Sequence, residues 1–388
     1  MKSFLIVILL FAVMSSNVMA QAPAKIADPT AASKKMAKAL SEITGVAISP
    51  LLGMGTIGCV KYFKTAPEKR DQLPWYANPL FWVPAFVLVG LCFLKDAAGA
   101  TVMPTIVKKP LDAMEAVEHK ISGLIAVGAF VPLVAAVFQA PDEAPNSASL
   151  ASMGFAAIDL HWLYNALIIP FAMVAFVLVW LASNAINILI LLSPFTTIDT
   201  SLKLFRTFIL GTVCATAWAN PWVGAAWALV IILISYFIAG WSFRLTHFGL
   251  VFLWDFFTVR KYRFKLAADQ NRMFLGRKIQ KVPARTYGKL SRNKNGELVF
   301  EYRPFLVMPQ RTLIMPLGTY ETGRGLFYSE ILRVEGDSAK TLILLPPRYL
   351  SHEEEVARHY SLAGTRDVGL RAAWAWVKSL FIGRAVPA

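Results

Sequence analysis

The chain has 388 residues, 56% of them hydrophobic and only 16% charged, with a formal net charge of +15. Soluble globular chains carry about 25% charged residues. Here the apolar residues gather into long runs, so a soluble fold is excluded and a polytopic membrane protein is implied.

The charge is uneven. Residues 95–240 hold few basic groups and 244–378 hold many. A basic, non-membrane part beside a bilayer favours the anionic cytoplasmic leaflet. Nucleic acid is set aside as a partner, because the membrane accounts for the charge and no nucleic-acid motif is present.

Residues 1–20 have the form of a signal peptide. Lys2 gives a short positive region, Phe4 to Val13 an apolar core, and Val18-Met19-Ala20 a small-residue cleavage site before Gln21. Residues 21–42 then read as a polar N-terminal tail, followed by a polytopic membrane domain over 43–257. Its apolar segments fall at 43–60, 79–94, 121–139, 163–192, 206–219 and 222–240. The second is short and interrupted by Pro84, and the fifth is short and ends at Asn220-Pro221. Short, Pro-interrupted segments mark re-entrant or discontinuous helices.

Two stretches echo each other. Ser49-Pro50 and Ala77-Asn78-Pro79 recur as Ser193-Pro194 and Ala219-Asn220-Pro221. This defines an internal repeat, about 43–139 and 163–245. Loop charges orient it. The loop 140–162 has no Lys or Arg and reads as external, while Arg244, Arg260, Lys261, Arg263 and Lys265 read as cytoplasmic. With the N-terminus outside, these signs agree if one of the first two segments dips in and returns, which makes the repeats inverted. Cys59, Cys92 and Cys214 lie in apolar segments, fit no metal spacing, and read as small core residues.

From about 258 the pattern changes to that of a small β-rich domain, 258–350. Strands are expected at 286–292 and 297–303 around Lys294-Asn295-Gly296, and at 305–308, 311–316, 326–334 and 340–345. A barrel or half barrel is the expected shape. The stretch Gly318 to Gly325 reads as a plain turn without the Lys and Ser/Thr of a phosphate loop. Residues 351–388 read as a C-terminal helical segment. Within it Leu370, Trp374, Val377 and Phe381 share a face of a basic amphipathic helix, which lies at the membrane interface or packs on the β domain.

Candidate site residues are those at the helix breaks: Ser49, Pro50, Asn78, Pro79, Ser193, Pro194, Asn220 and Pro221. Broken helices expose amides and carbonyls that hold an ion or anion inside a membrane. Ser183, Asn184 and Asn187 sit within an apolar segment, where polar groups either bind helices together or line a pathway. Asp199, Lys203 and Arg206 form either a surface ion-pair ladder or a charged element at the mouth of the second repeat. Lys95-Asp96 and Asp255 read as buried partners of basic groups or as interfacial residues. His352 and His359 are too far apart for a helical metal pair. No catalytic constellation, metal or cofactor is expected.

The stretch Ser49-Pro50-Leu51-Leu52, Leu73-Pro74, Ala77-Asn78-Pro79 and Phe93-Leu94-Lys95-Asp96 resembles an uncharacterised bacterial family of small integral membrane proteins, known only as a domain of unknown function. The layout from Ser193-Pro194 through Asn220-Pro221-Trp222 to Arg244 is similar. The resemblance covers about residues 43–245 and implies a fold and a location without an activity.

Two functions follow as expectations. The first is a multi-pass protein of the bacterial inner membrane that transports or binds a small solute, ion or lipid between its repeats, with a cytoplasmic β domain. The second is a non-transporting scaffold that anchors that domain. The expected partners are the lipid bilayer, anionic lipid head groups, and a second copy or another protein through the β domain.

Overall fold

The computed structural model describes residues 29–87, 161–192, 196–293, 295–325, 328–336 and 338–369. The expected signal peptide, the segment 121–139, the loop 140–160, Lys95-Asp96, Cys92, Ser193-Pro194 and the amphipathic helix beyond residue 369 lie outside them.

Helix α1 spans Pro29–Ile48 and α2 spans Pro50–Lys64. Pro50 has no N–H to continue the ladder, and it forces Ser49 out of the helical region, to φ −138° and ψ 89°. The chain folds back there. A Cβ on Gly53 would lie 2.7 Å from the Cα of Val46, whereas seven residues along a straight helix span about 10 Å. A glycine is needed where two backbones come this close.

The expected polar tail is therefore helical from residue 29. Ala37, Ala39, Ser41, Ile43, Thr44, Val46, Ala47 and Ile48 are all buried. Small side chains pack closely without raising hydropathy. The hydroxyls of Ser41 and Thr44 donate back to the carbonyls of Ala37 and Leu40, so neither is left bare.

After α2, short 3-10 turns at Pro67–Gln72 and Trp75–Ala77 lead to Asn78. Helix α3 starts at residue 79 and is described to 87. Gly58 of α2 lies against the second turn, with no room for a side chain: a Cβ would stand 2.0 Å from the Tyr76 carbonyl oxygen.

Three long helices follow: α4 His161–Leu192, α5 Thr196–Ala219 and α6 Pro221–Phe257. Pro170–Leu192, Ile198–Ala219 and Pro221–Phe257 are long and apolar enough to cross a membrane. Helix α5 begins ten residues before the expected segment and α6 runs past residue 240 to 257. The charged residues Asp199, Lys203 and Arg206 thus belong to the first turns of α5. Helix α6 has 37 residues, about 55 Å, against a hydrocarbon core of about 30 Å. Its surplus length carries the chain to the β domain.

The break between α5 and α6 repeats the first fold-back. Asn220 takes φ −155° and ψ 119° before Pro221, and a Cβ on Gly224 would lie 2.6 Å from the Cα of Ala217. Both sites read Ser/Asn-Pro-x-x-Gly. One buried cluster joins Val46, Met54, Tyr76, Phe176, Val179, Val213 and Ile231, and so draws α1, α2, α4, α5 and α6 together. Cys59 is only half-buried and Cys214 is exposed, so neither is the core residue expected.

The C-terminal part is an eight-stranded sheet in the order β4-β3-β2-β1-β7-β6-β5-β8. Its strands are β1 Asn271–Leu275, β2 Tyr287–Arg292, β3 Leu298–Tyr302, β4 Arg311–Ile314, β5 Thr319–Arg324, β6 Ser329–Glu335, β7 Ser338–Leu345 and β8 Thr365–Asp367. Neighbours are antiparallel except β5 and β8. Among the described residues β4 and β8 remain edges, so the sheet is open and not a closed barrel.

Four details differ from the sequence reading. Residues 305–308 are no strand but a 3-10 turn, Pro304–Leu306, and its continuation. The presumed turn at Gly318 to Gly325 contains β5, whose Gly323 leaves room for Val368. The β2–β3 loop has three residues between the paired Asn293 and Glu297, and of Asn295 and Gly296 only Gly296 takes a positive φ, at +80°, where a two-residue Asn-Gly turn needs both. Finally, the domain extends past 350. Helix α7 (Glu353–His359) places Val356, and the turn after it Tyr360, in the same core as Phe300 and Ile343. Burial pushes the Tyr360 hydroxyl up to about 12, so it stays a donor, bonded to the Leu290 carbonyl at 3.0 Å.

Candidate functional site

The first helix break sits beside α4. The Ser183 hydroxyl donates to the Ile48 carbonyl at 2.7 Å. Ser183 lies near the middle of the apolar stretch Pro170–Leu192. Ser49 is half-buried and Pro50 fully buried.

The next polar residues on α4 face two other helices. Asn184, with no exposed surface, donates from Nδ2 to the Thr246 hydroxyl of α6 at 3.3 Å. The Asn187 carbonyl oxygen accepts from the Arg206 guanidinium of α5. These bonds place Ser183, Asn184, Asn187, Arg206 and Thr246 in one polar seam shared by α1, α4, α5 and α6. Among the described residues, Asn184 Oδ1, Asn187 Nδ2 and the buried Ser242 hydroxyl on α6 have no hydrogen-bond partner. A buried polar atom left without a hydrogen bond costs about 1–3 kcal/mol. Asp199 is buried at the start of α5.

The break residues do not all gather here. Asn78 and Asn220 are exposed and act as helix caps: their side-chain oxygens accept from Leu80 N and Trp222 N, each at 2.9 Å. Pro79 and Pro221 are half-buried first-turn residues. Ser193 and Pro194 fall between α4 and α5, outside the described residues.

A second buried polar contact joins helix to sheet. Asp255, on the last turns of α6, accepts from Arg348 Nε at 2.6 Å, and its side chain has no exposed surface. Arg260 approaches at 3.7 Å from the solvent side. Of the two readings of Asp255, the buried partner is therefore the one observed. Sequence reasoning missed Arg348. Its signal was a lone cation within Leu344-Leu345-Pro346-Pro347-Arg348-Tyr349-Leu350. Nearby, Phe248 packs edge-on to Phe274 of β1 at 5.0 Å, and His352 bonds the Lys261 carbonyl at 2.8 Å and Glu355 at 3.0 Å.

No family model, curated protein or solved structure matches this chain.

Proposed function

We propose that this chain is a multi-pass protein of the bacterial inner membrane that binds or moves a small polar solute or ion through the seam around Asn184 and Asn187. The carrying observation is the Ser183–Ile48 bond. It supports a helix break inside the spanning bundle, next to two buried amides with unused polar atoms. Broken helices at that depth are where membrane transporters hold ions and small substrates.

In this reading α1 and α2 form a re-entrant hairpin. The matching helix starts at Asn78 and Asn220, where each side chain accepts from the backbone N–H two residues on at 2.9 Å, support the internal repeat. Arg206, shared with Asn187, favours an anionic or carbonyl-bearing solute. The β domain lies in the cytoplasm, in keeping with its Lys and Arg. The resemblance to the uncharacterised membrane family agrees with this location and adds no activity.

The scaffold alternative has its own observation, the Asp255–Arg348 pair that fixes the sheet to α6. The two are separated by swelling of proteoliposomes containing the full chain, with potassium, chloride and glycerol as test solutes. Uptake above protein-free vesicles, abolished in Asn184→Leu and Asn187→Leu, supports the solute reading. No uptake of any test solute, with both variants more stable than the parent, supports the scaffold.

A further inference from the structure

The turn after β3 is apolar and exposed. Phe305, Leu306, Met308 and, at 84% exposure, Val307 face outward, joined by Ile314 of the edge strand β4 and by Leu317 beyond it. In a water-soluble domain such a contiguous patch marks an interaction site. The backbone is strained to present it. Phe305 and Leu306 take φ +52° and +66° in succession, a conformation that non-glycine residues adopt only when something else holds it.

Its position identifies the occupant. Phe305 packs against Phe243 with ring centroids 5.6 Å apart, and its ring reaches to 3.8 Å of a Cβ built on Gly240. From Pro221 to Trp241, α6 rises about 30 Å, one hydrocarbon thickness. Phe237 and Trp241 on that part of α6 are exposed, as lipid-facing residues of a spanning helix would be. The turn therefore meets α6 where the helix leaves the bilayer, and its apolar surface continues the lipid-facing surface of the helix. Arg303 and Arg311, both exposed, flank the turn, placed as cations are at an anionic head-group layer.

We infer that the Pro304–Met308 turn is a membrane-inserting tip, which sinks Phe305, Leu306, Val307 and Met308 into the bilayer interface while Arg303 and Arg311 contact anionic head groups. The inference rests on α6 crossing the membrane and not on the solute reading.

The test uses the full chain with its native cysteines replaced by alanine, in nanodiscs of anionic phospholipid. An environment-sensitive fluorophore is placed by Val307→Cys, by Phe237→Cys on α6, and by Asn295→Cys at the opposite end of β3. Expected are a blue-shifted emission at 307 and quenching by spin-labelled lipid at 307 and 237, with neither at 295. Quenching at 237 but not at 307 overturns the tip. Loss of quenching at both overturns the membrane reading of α6 itself. A blue shift at 307 without lipid quenching, accompanied by 307–307 crosslinking, overturns the tip in favour of a contact between two copies.

Discussion

Arg348 Nε lies 2.6 Å from Asp255 Oδ2, and together they form a buried ion pair between the end of a membrane helix and the turn that follows β7. A buried pair is a weak source of net stability, but breaking it strands a charge, at a cost of about 3–5 kcal/mol. Arg348→Met should destabilise the chain by up to about that much, with the half-exposed Arg260, at 3.7 Å, offsetting only part of the stranded charge. The double variant Asp255→Leu, Arg348→Met should recover most of the loss. A double-mutant cycle of denaturant melts in detergent measures both.

Gly58→Ala should cost about 1–3 kcal/mol, since the added methyl meets the backbone carbonyl of Tyr76 at 2.0 Å and the backbone must move. Gly211→Ala, on the open face of α5, meets nothing within 4 Å. It should be neutral or stabilising by up to about 1 kcal/mol. Thermal melts of the pair distinguish contact from helix propensity.

Gly53→Val and Gly224→Val should each open a fold-back, because the new side chain would overlap the backbone of Val46 or Ala217. The loss should show as a lower melting temperature and as new protease sensitivity near residues 49 and 220.

Ser183→Ala removes the donor to the Ile48 carbonyl. Hydrogen bonds between membrane helices contribute about 0.6 kcal/mol on average, and Ser183→Ala should lower stability by roughly that amount, with Ser183→Thr restoring part of it.

His352 gives a pH dependence. Its bond to the Lys261 carbonyl raises its pKa above the ordinary value, with the Glu355 carboxylate adding to the effect against partial desolvation. A raised value in the folded state means the contribution is full below about pH 6.5 and is lost as pH climbs through the folded value. Melting temperature should fall over that window in the parent, and the fall should be missing in His352→Gln.

The spans of α4, α5 and α6 were legible because Leu, Ile, Val and Phe gather in them, and Asn184 and Asn187 stood out as amides in apolar sequence. Helix α1 was not legible. Before residue 42 its buried residues, among those described, are Ala37, Ala39 and Ser41, which hydropathy does not separate from a polar tail. The Pro304–Met308 turn misled for the opposite reason: Phe-Leu-Val-Met has strand composition, but its apolar side chains are exposed, and Phe305 and Leu306 sit on left-handed backbone. A fold-back like that at Ser49 also occurs at Asn220, and the shared cue was the glycine three residues after each proline. Arg348 carried no local pattern, since its partner lies at Asp255 in another domain.

The partners of α1 also set a timetable. Its buried face is covered by Phe176 and Val179 of α4, Val213 of α5 and Ile231 of α6, all made much later in translation. At about 5–20 residues per second, the stretch from Ile48 to Phe257 takes on the order of ten to forty seconds to emerge. Until α4 is made, the buried face of α1, with its two hydroxyls, has no helix of the second half to rest on, and Ile231 of α6 arrives last. The nascent chain must hold α1 in waiting until α6 is in place, so a chain stopped before Pro221 should leave residues 29–64 open to cleavage, and one stopped after Phe257 should not.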